Sequence, residues 1–98
     1  MKDKFSIEYT KRGEKDLNKK KFRQYREKII KNISLLKKNP FFSSKKRNIR
    51  KIVNSKNIYR MKIDKLRCIY KVNKRLNICI ILEIDFRENI NYKKYLDY

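Results

Sequence analysis

Ile58-Tyr59-Arg60-Met61-Lys62-Ile63 and, after Asp64-Lys65, Leu66-Arg67-Cys68-Ile69-Tyr70-Lys71-Val72 decide the fold of this chain. Side chains of a strand alternate between its two faces. The first run therefore sends Tyr59, Met61 and Ile63 one way and Arg60 and Lys62 the other. The second sends Leu66, Cys68, Tyr70 and Val72 to the apolar side and Arg67 and Lys71 to the opposite one. The intervening Asp64-Lys65 is short enough for a tight hairpin turn, although it lacks Gly. A third run places Leu76, Ile78, Ile80, Leu82, Ile84 and Phe86 inward and leaves Arg87 at the polar end. If the three strands are neighbours, Arg60, Lys62, Arg67 and Arg87 share one surface. Convergent guanidinium and ammonium groups are what a phosphodiester requires.

Upstream, Phe5-Ser6-Ile7-Glu8-Tyr9 alternates as a first strand with Phe5, Ile7 and Tyr9 inward. Thr10 is placed to cap a short helix around residues 11 to 18, though Gly13 stands where a capping box wants Glu. From Lys20 to Lys38, Phe22, Tyr25, Ile29, Ile33 and Leu36 step by three or four, which is one helical stripe. Asn39-Pro40 ends that helix. Residues 41 to 48 form a basic loop whose Lys45, Lys46 and Arg47, with Lys71 on the sheet, are candidate RNA contacts. Ile49 to Val53 adds a short extended piece. Asn73-Lys74-Arg75 makes a looser second turn, and in the polar tail Tyr92, Tyr95 and Leu96 anchor a short helix. The expected fold class is α+β in a single domain, 1–98. An N-terminal strand and a helical hairpin or long helix precede an antiparallel sheet of three to four strands and a short C-terminal helical tail. The helices pack on one face, and the other face stays open.

Composition narrows the partners. The 98 residues carry 30 basic and 10 acidic side chains, a net charge of +20, while 40% are apolar and fall in periodic runs. Such runs distinguish the chain from a disordered polycation. Self-repulsion on that scale calls for a polyanion or an acidic partner. Codon bias in an A/T-rich gene would also inflate Lys, which supplies most of the cations; but Arg60, Arg67 and Arg87 stand together on the polar face. Cys68 and Cys79 lack metal-ligand spacing, and the alternation sends them to opposite faces as reduced residues of a cytoplasmic protein. No apolar stretch is long enough to cross a membrane, and the Lys-rich start runs into a strand rather than a signal peptide.

The residue inventory excludes several chemistries. Without histidine there is no imidazole acid–base pair and no Cys-His or Ser-His-Asp nucleophile. One Gly cannot build a phosphate loop. No metal cage and no cofactor site is expected. Glu83 and Asp85 fall on the basic face, where neutralising Arg60, Arg67 or Arg87 is a more economical role than general-base work. Arg, Lys and Tyr remain, and they can cut RNA without metal by assisting the 2′-hydroxyl against the adjacent phosphate. Arg67 and Arg87 would stabilise the pentacoordinate phosphorus, Lys62, its pKa lowered by neighbouring cations, would accept the proton, and Tyr92 would stack on a base or orient the hydroxyl.

The Tyr59-Arg60-Met61-Lys62-Ile63, Arg67-Cys68-Ile69-Tyr70 and Phe86-Arg87…Tyr92 elements, in that order, resemble the RelE/ParE toxins of type II toxin–antitoxin systems. The resemblance extends over Phe5 to Thr10, the Asp16-Leu17 step and the long helix ending in Asn39-Pro40. It implies a RelE-like, microbial-RNase-like fold and a ribosome-dependent endoribonuclease that cuts mRNA in the A site and so inhibits translation. Arg60, Lys62, Arg67, Arg87 and Tyr92 match its site positions. It also implies a cognate antitoxin with an acidic or amphipathic segment as partner. Some RNase relatives use a C-terminal His, which this chain lacks. The Arg87 to Tyr92 spacing looks one residue short, so Tyr95 is a substitute candidate. The ParE branch, which poisons DNA gyrase, is the alternative, as is a non-catalytic basic RNA-binding protein.

Overall fold

The structure, a computed structural model, describes residues 4–41, 43 and 47–96. Lys45 and Lys46 lie outside the described residues. Strand β1 (Ser6–Tyr9) leads into α1 (Lys11–Leu17), a 3₁₀ stretch (Lys20–Tyr25) and α2 (Arg26–Leu36). Then come β2 (Arg50–Lys51), β3 (Ile58–Ile63), β4 (Leu66–Asn73) and β5 (Ile78–Phe86), and two 3₁₀ turns, Arg87–Asn89 and Tyr92–Tyr95. The five strands lie in the order β1-β5-β4-β3-β2. All neighbours are antiparallel except β1 and β5, which run parallel.

The helical stripe is real: Phe22, Tyr25, Ile29, Ile33 and Leu36 are all buried against the sheet. Its first part, however, winds as a 3₁₀ helix rather than as continuous α-helix. Thr10 caps α1, accepting from the Gly13 amide at 3.0 Å. Phe5 and Ile7 pack on this core, whereas Tyr9 stays 36% exposed at the sheet edge. Turns are made without glycine: Asp64, Asn48, Asn54, Asn57 and Asn77 take positive φ, a region in which short polar side chains are tolerated best.

Two expectations fail at a single irregularity. Strand β4 pairs with β5 through a register shift between Ile69 and Tyr70, so that Ile69 faces Glu83 and Tyr70 faces Ile81. Leu82 is the extra residue, and one inserted residue flips the faces of everything before it. Ile84 and Phe86 point toward the helices as expected, but upstream it is Cys79 and Ile81 that do so. Ile80 and Leu82 belong to the other side. For the same reason Cys68 and Cys79 share the helix-side core instead of opposing each other. Burial pushes the Cys79 thiol up to about 12 and raises that of Cys68 as well, so neither is a nucleophile near neutrality.

The second face of the sheet is not open. Ile52, Ile58, Ile69 and Leu82 form a smaller core there beneath Ile90 and Tyr95 of the C-terminal segment, with Ile80 and Tyr92 at its margin. Four apolar residues on one sheet face must be covered, and the tail is the element in reach.

Candidate nucleic-acid interface

The register assembles the basic face. Lys62 stands directly opposite Arg67 across the β3–β4 pair, and Arg60 stands opposite Ile69 two rungs further on. Arg50 of β2 faces Arg60 from the other side. Arg87 opens the 3₁₀ turn that follows β5, and its amide bonds to the Lys65 carbonyl at 3.4 Å, which brings it to the β3–β4 hairpin. The Arg67 guanidinium is oriented by its own hairpin, donating through Nη1 to the carbonyls of Leu66 at 2.9 Å and Asp64 at 3.2 Å. Burial, foremost, lowers the Arg67 pKa; Arg87 and Arg60 add repulsion, while Tyr92 and Glu88 oppose it. A guanidinium remains charged throughout. Three arginines that repel one another favour an anion between them.

Tyr92 joins this group from the tail. The Arg60 guanidinium lies 5.8 Å from the centre of its ring, a cation–π distance. The Tyr92 hydroxyl is buried and finds no hydrogen-bond partner among the described residues, a state that normally costs about 1–3 kcal/mol. Tyr95 is buried and donates its hydroxyl to Glu83. Tyr92 is therefore the tyrosine that stands beside the arginines.

Two grooves flank the cluster. One, of about 1290 Å³, is lined by Lys62, Arg67 and Arg87 together with Lys28, Lys31 and Lys65. Its floor is apolar, from Tyr25, Leu35, Ile63 and Phe86. The other, of about 650 Å³, holds Arg60 and Tyr92 with Arg50, Lys51, Lys93 and Leu96. Lys71 is half-buried, opposite Ile58, and lines neither groove. Arg47 touches the first groove but is only 8% exposed, and its carbonyl accepts from the Lys62 amide at 2.7 Å. That bond secures the strand under Lys62, a supporting position rather than an open RNA contact.

Arg50, Lys65 and Lys93 are groove residues that sequence reasoning missed. Arg50 carried a signal, since it alternates with Ile49 and Lys51 in an extended piece; Lys65 and Lys93 sit in turns, where period gives no facing. The acidic pair also departs from expectation. Glu83 and Asp85 do share the basic face, yet their ion-pair partners are Arg12, Lys21 and Lys94, not Arg60, Arg67 or Arg87. Although burial opposes ionisation, the Asp85 carboxyl is held below its usual pKa by the Phe86 amide, Asn89 and nearby lysines. The site arginines keep their charge available. Among the described residues, no cluster of three or more Cys, Asp or Glu side chains could hold a metal ion.

No protein-family model and no curated protein sequence matches this chain. Solved structures do. The archaeal RelE of the RelE–RelB complex from Pyrococcus horikoshii OT3 superposes with a TM-score of 0.71 at 20% identity, over 89% of this chain and 99% of that one. The chain has the RelE-type fold. A mutant of E. coli toxin RelE in its free state gives 0.71 at 14% identity, over 96% of this chain and 94% of RelE. YafQ of the E. coli DinJ–YafQ toxin–antitoxin complex gives 0.69 at 18% identity, over 89% and 97%. At these identities the likeness concerns the backbone, and the side chains must argue for themselves.

Proposed function

We propose that this chain is the toxin of a type II toxin–antitoxin pair, an endoribonuclease that cuts mRNA in the ribosomal A site. The observation that carries the reading is Arg67, pinned at the hairpin and crowded by Arg60 and Arg87 with the Tyr92 ring alongside. A phosphate drawn into that cluster is polarised from several sides. The 2′-oxygen then attacks phosphorus, its proton passing by way of solvent to the departing 5′-oxygen as that bond breaks and a cyclic phosphate forms, with Lys62 among the cations that hold the phosphate. Arg67 and Arg87 stabilise the extra negative charge on the equatorial oxygens. Arg60 and the Tyr92 face hold the neighbouring nucleotide.

The arrangement contains donors and positive charge but weak acid–base groups, so orientation of the message must come from elsewhere. Orientation is worth several kcal/mol in such reactions. Purified protein should therefore cut naked RNA poorly at physiological salt and translated message efficiently. Brief induction in cells, with mapping of mRNA ends alongside trapping of gyrase–DNA complexes, tests the reading directly. New ends within translated codons support it; gyrase complexes without new ends would transfer the protein to the ParE-type alternative.

A cognate antitoxin follows from the same charge. RelE occurs in complex with RelB, and YafQ with DinJ, in the similar structures. A net charge of +20 gives an acidic segment both steering and affinity. Co-expression with the neighbouring reading frame should yield a complex whose dissociation rises steeply between low and high salt. A neighbour that fails to bind, together with harmless expression of this chain alone, would refute the pairing.

A further inference from the structure

We infer that Glu83 and Tyr95 form a clasp that positions Tyr92 against Arg60 and Arg67. Glu83 sits in the middle of β5 with a side chain only 2% exposed. A carboxylate at that depth is costly unless several donors meet it. Three do. The Tyr95 hydroxyl donates to Oε1, Lys94 Nζ lies 2.6 Å from the same oxygen, and Arg12 Nη2 lies 3.4 Å from Oε2. Two of these donors come from one short turn, Tyr92–Tyr95.

The geometry of that turn links the clasp to the site. It is a 3₁₀ turn, in which side chains three residues apart eclipse one another. Tyr92 and Tyr95 are three apart, so both rings face the sheet. Tyr95 reaches Glu83 on β5, and Tyr92 reaches Arg60 on β3. Fixing the first ring fixes the rotation of the turn and hence the second. Two further polar ties of the turn are local: the Lys93 amide to Asn91 Oδ1 at 3.1 Å and the Leu96 amide to the Lys93 carbonyl at 3.2 Å. The clasp also has a rigid base. Arg12 is paired at 3.0 Å with the fully buried Asp16, which accepts from the Ile84 amide at 2.9 Å, next to Glu83 in the strand. Glu83 and Tyr95 are thus positioning residues, acting on the site through Tyr92.

The effect on rate rests on the ribonuclease reading; the effect on Tyr92 does not. The test therefore has two readouts on the intact chain. With 3-fluorotyrosine placed at position 92, the ¹⁹F resonance should be single and displaced from that of the free amino acid. Tyr95→Phe keeps the ring and its packing but removes the hydroxyl, and should move the resonance toward the free position; Glu83→Gln should do the same. Cleavage of translated message should fall about ten- to hundredfold in kcat/KM. An unmoved resonance in a folded Tyr95→Phe protein overturns the clasp, whatever happens to activity. A moved resonance upholds it, including where the parent protein cuts no RNA, an outcome that removes the nuclease reading alone. Should Glu83→Gln fail to fold, Tyr95→Phe decides by itself.

Discussion

Under the proposed toxin function, Arg67→Ala and Arg87→Ala should each abolish growth arrest while leaving the fold intact. Each change removes a guanidinium that the proposed mechanism assigns to the developing phosphorane, a loss of about 2.7–4 kcal/mol if it resembles deletion of an oxyanion-hole donor. That is roughly a hundred- to thousandfold in rate. Stability should hold, because Arg87 is exposed and Arg67 is only half-buried, with bonds confined to its own hairpin. The controls are Lys20→Ala and Lys37→Ala, which line neither groove and remove the same unit of charge. Lys31 is unsuitable as a control. From the helical period it falls on a solvated face, yet it borders the groove that contains Arg67 and Arg87. Toxicity at matched expression is the measurement. If the two lysine changes disarm the protein as fully as the arginine changes, diffuse charge rather than a site is responsible.

Gly13→Ala should destabilise the protein by about 3 kcal/mol or more, at the upper end of overpacking costs. Helix propensity by itself predicts the reverse, a gain of about 1 kcal/mol, since Gly is a poor residue within a helix. Packing decides the sign. A Cβ at position 13 would lie 2.2 Å from the Ile81 carbonyl oxygen, a backbone atom of β5 that cannot turn aside. To clear it, α1 must lift from the strand. That strains the Thr10 amide bond to the same carbonyl at 3.0 Å and the Thr10 hydroxyl bond to the Leu82 carbonyl at 3.3 Å. It also pulls on Asp16, which caps the Ile84 amide from beneath the helix. Equilibrium urea unfolding gives the answer, and a Gly13→Ala protein more stable than its parent would show that the contact is looser than described.

The same junction explains why part of the site could not be read along the chain. Arg60, Lys62 and Arg67 were legible because β3 and β4 pair without interruption, so alternation carries the facing of each side chain across the hairpin. In β5 the rule holds after Leu82 and reverses before it, and no residue type marks the bulge in advance. A one-residue insertion changes the face of every upstream side chain at no cost in local pattern when, as here, Ile and Leu occupy both faces. The covering of the second face was hidden for a related reason. Ile58 and Ile69 read as isolated apolar residues on a polar face, and Leu82 as an inward one, until pairing sets all three side by side beneath Ile90 and Tyr95.

Local chemistry therefore determined the elements: a helical stripe from Phe22 to Leu36, Thr10 as a cap, Asp64-Lys65 as a turn, and strands whose basic residues share a face. These depend on neighbours within a few residues, where periodicity and backbone preference act. Tertiary structure alone decided that the acidic pair of β5 serves Arg12, Lys21 and the tail instead of the site arginines. It alone set Tyr92 over Arg60 and gave Glu83 its tyrosine twelve residues away. Charged groups choose partners by distance through space, and those distances exist only once the register of β4 and β5 and the path of the last turn are closed.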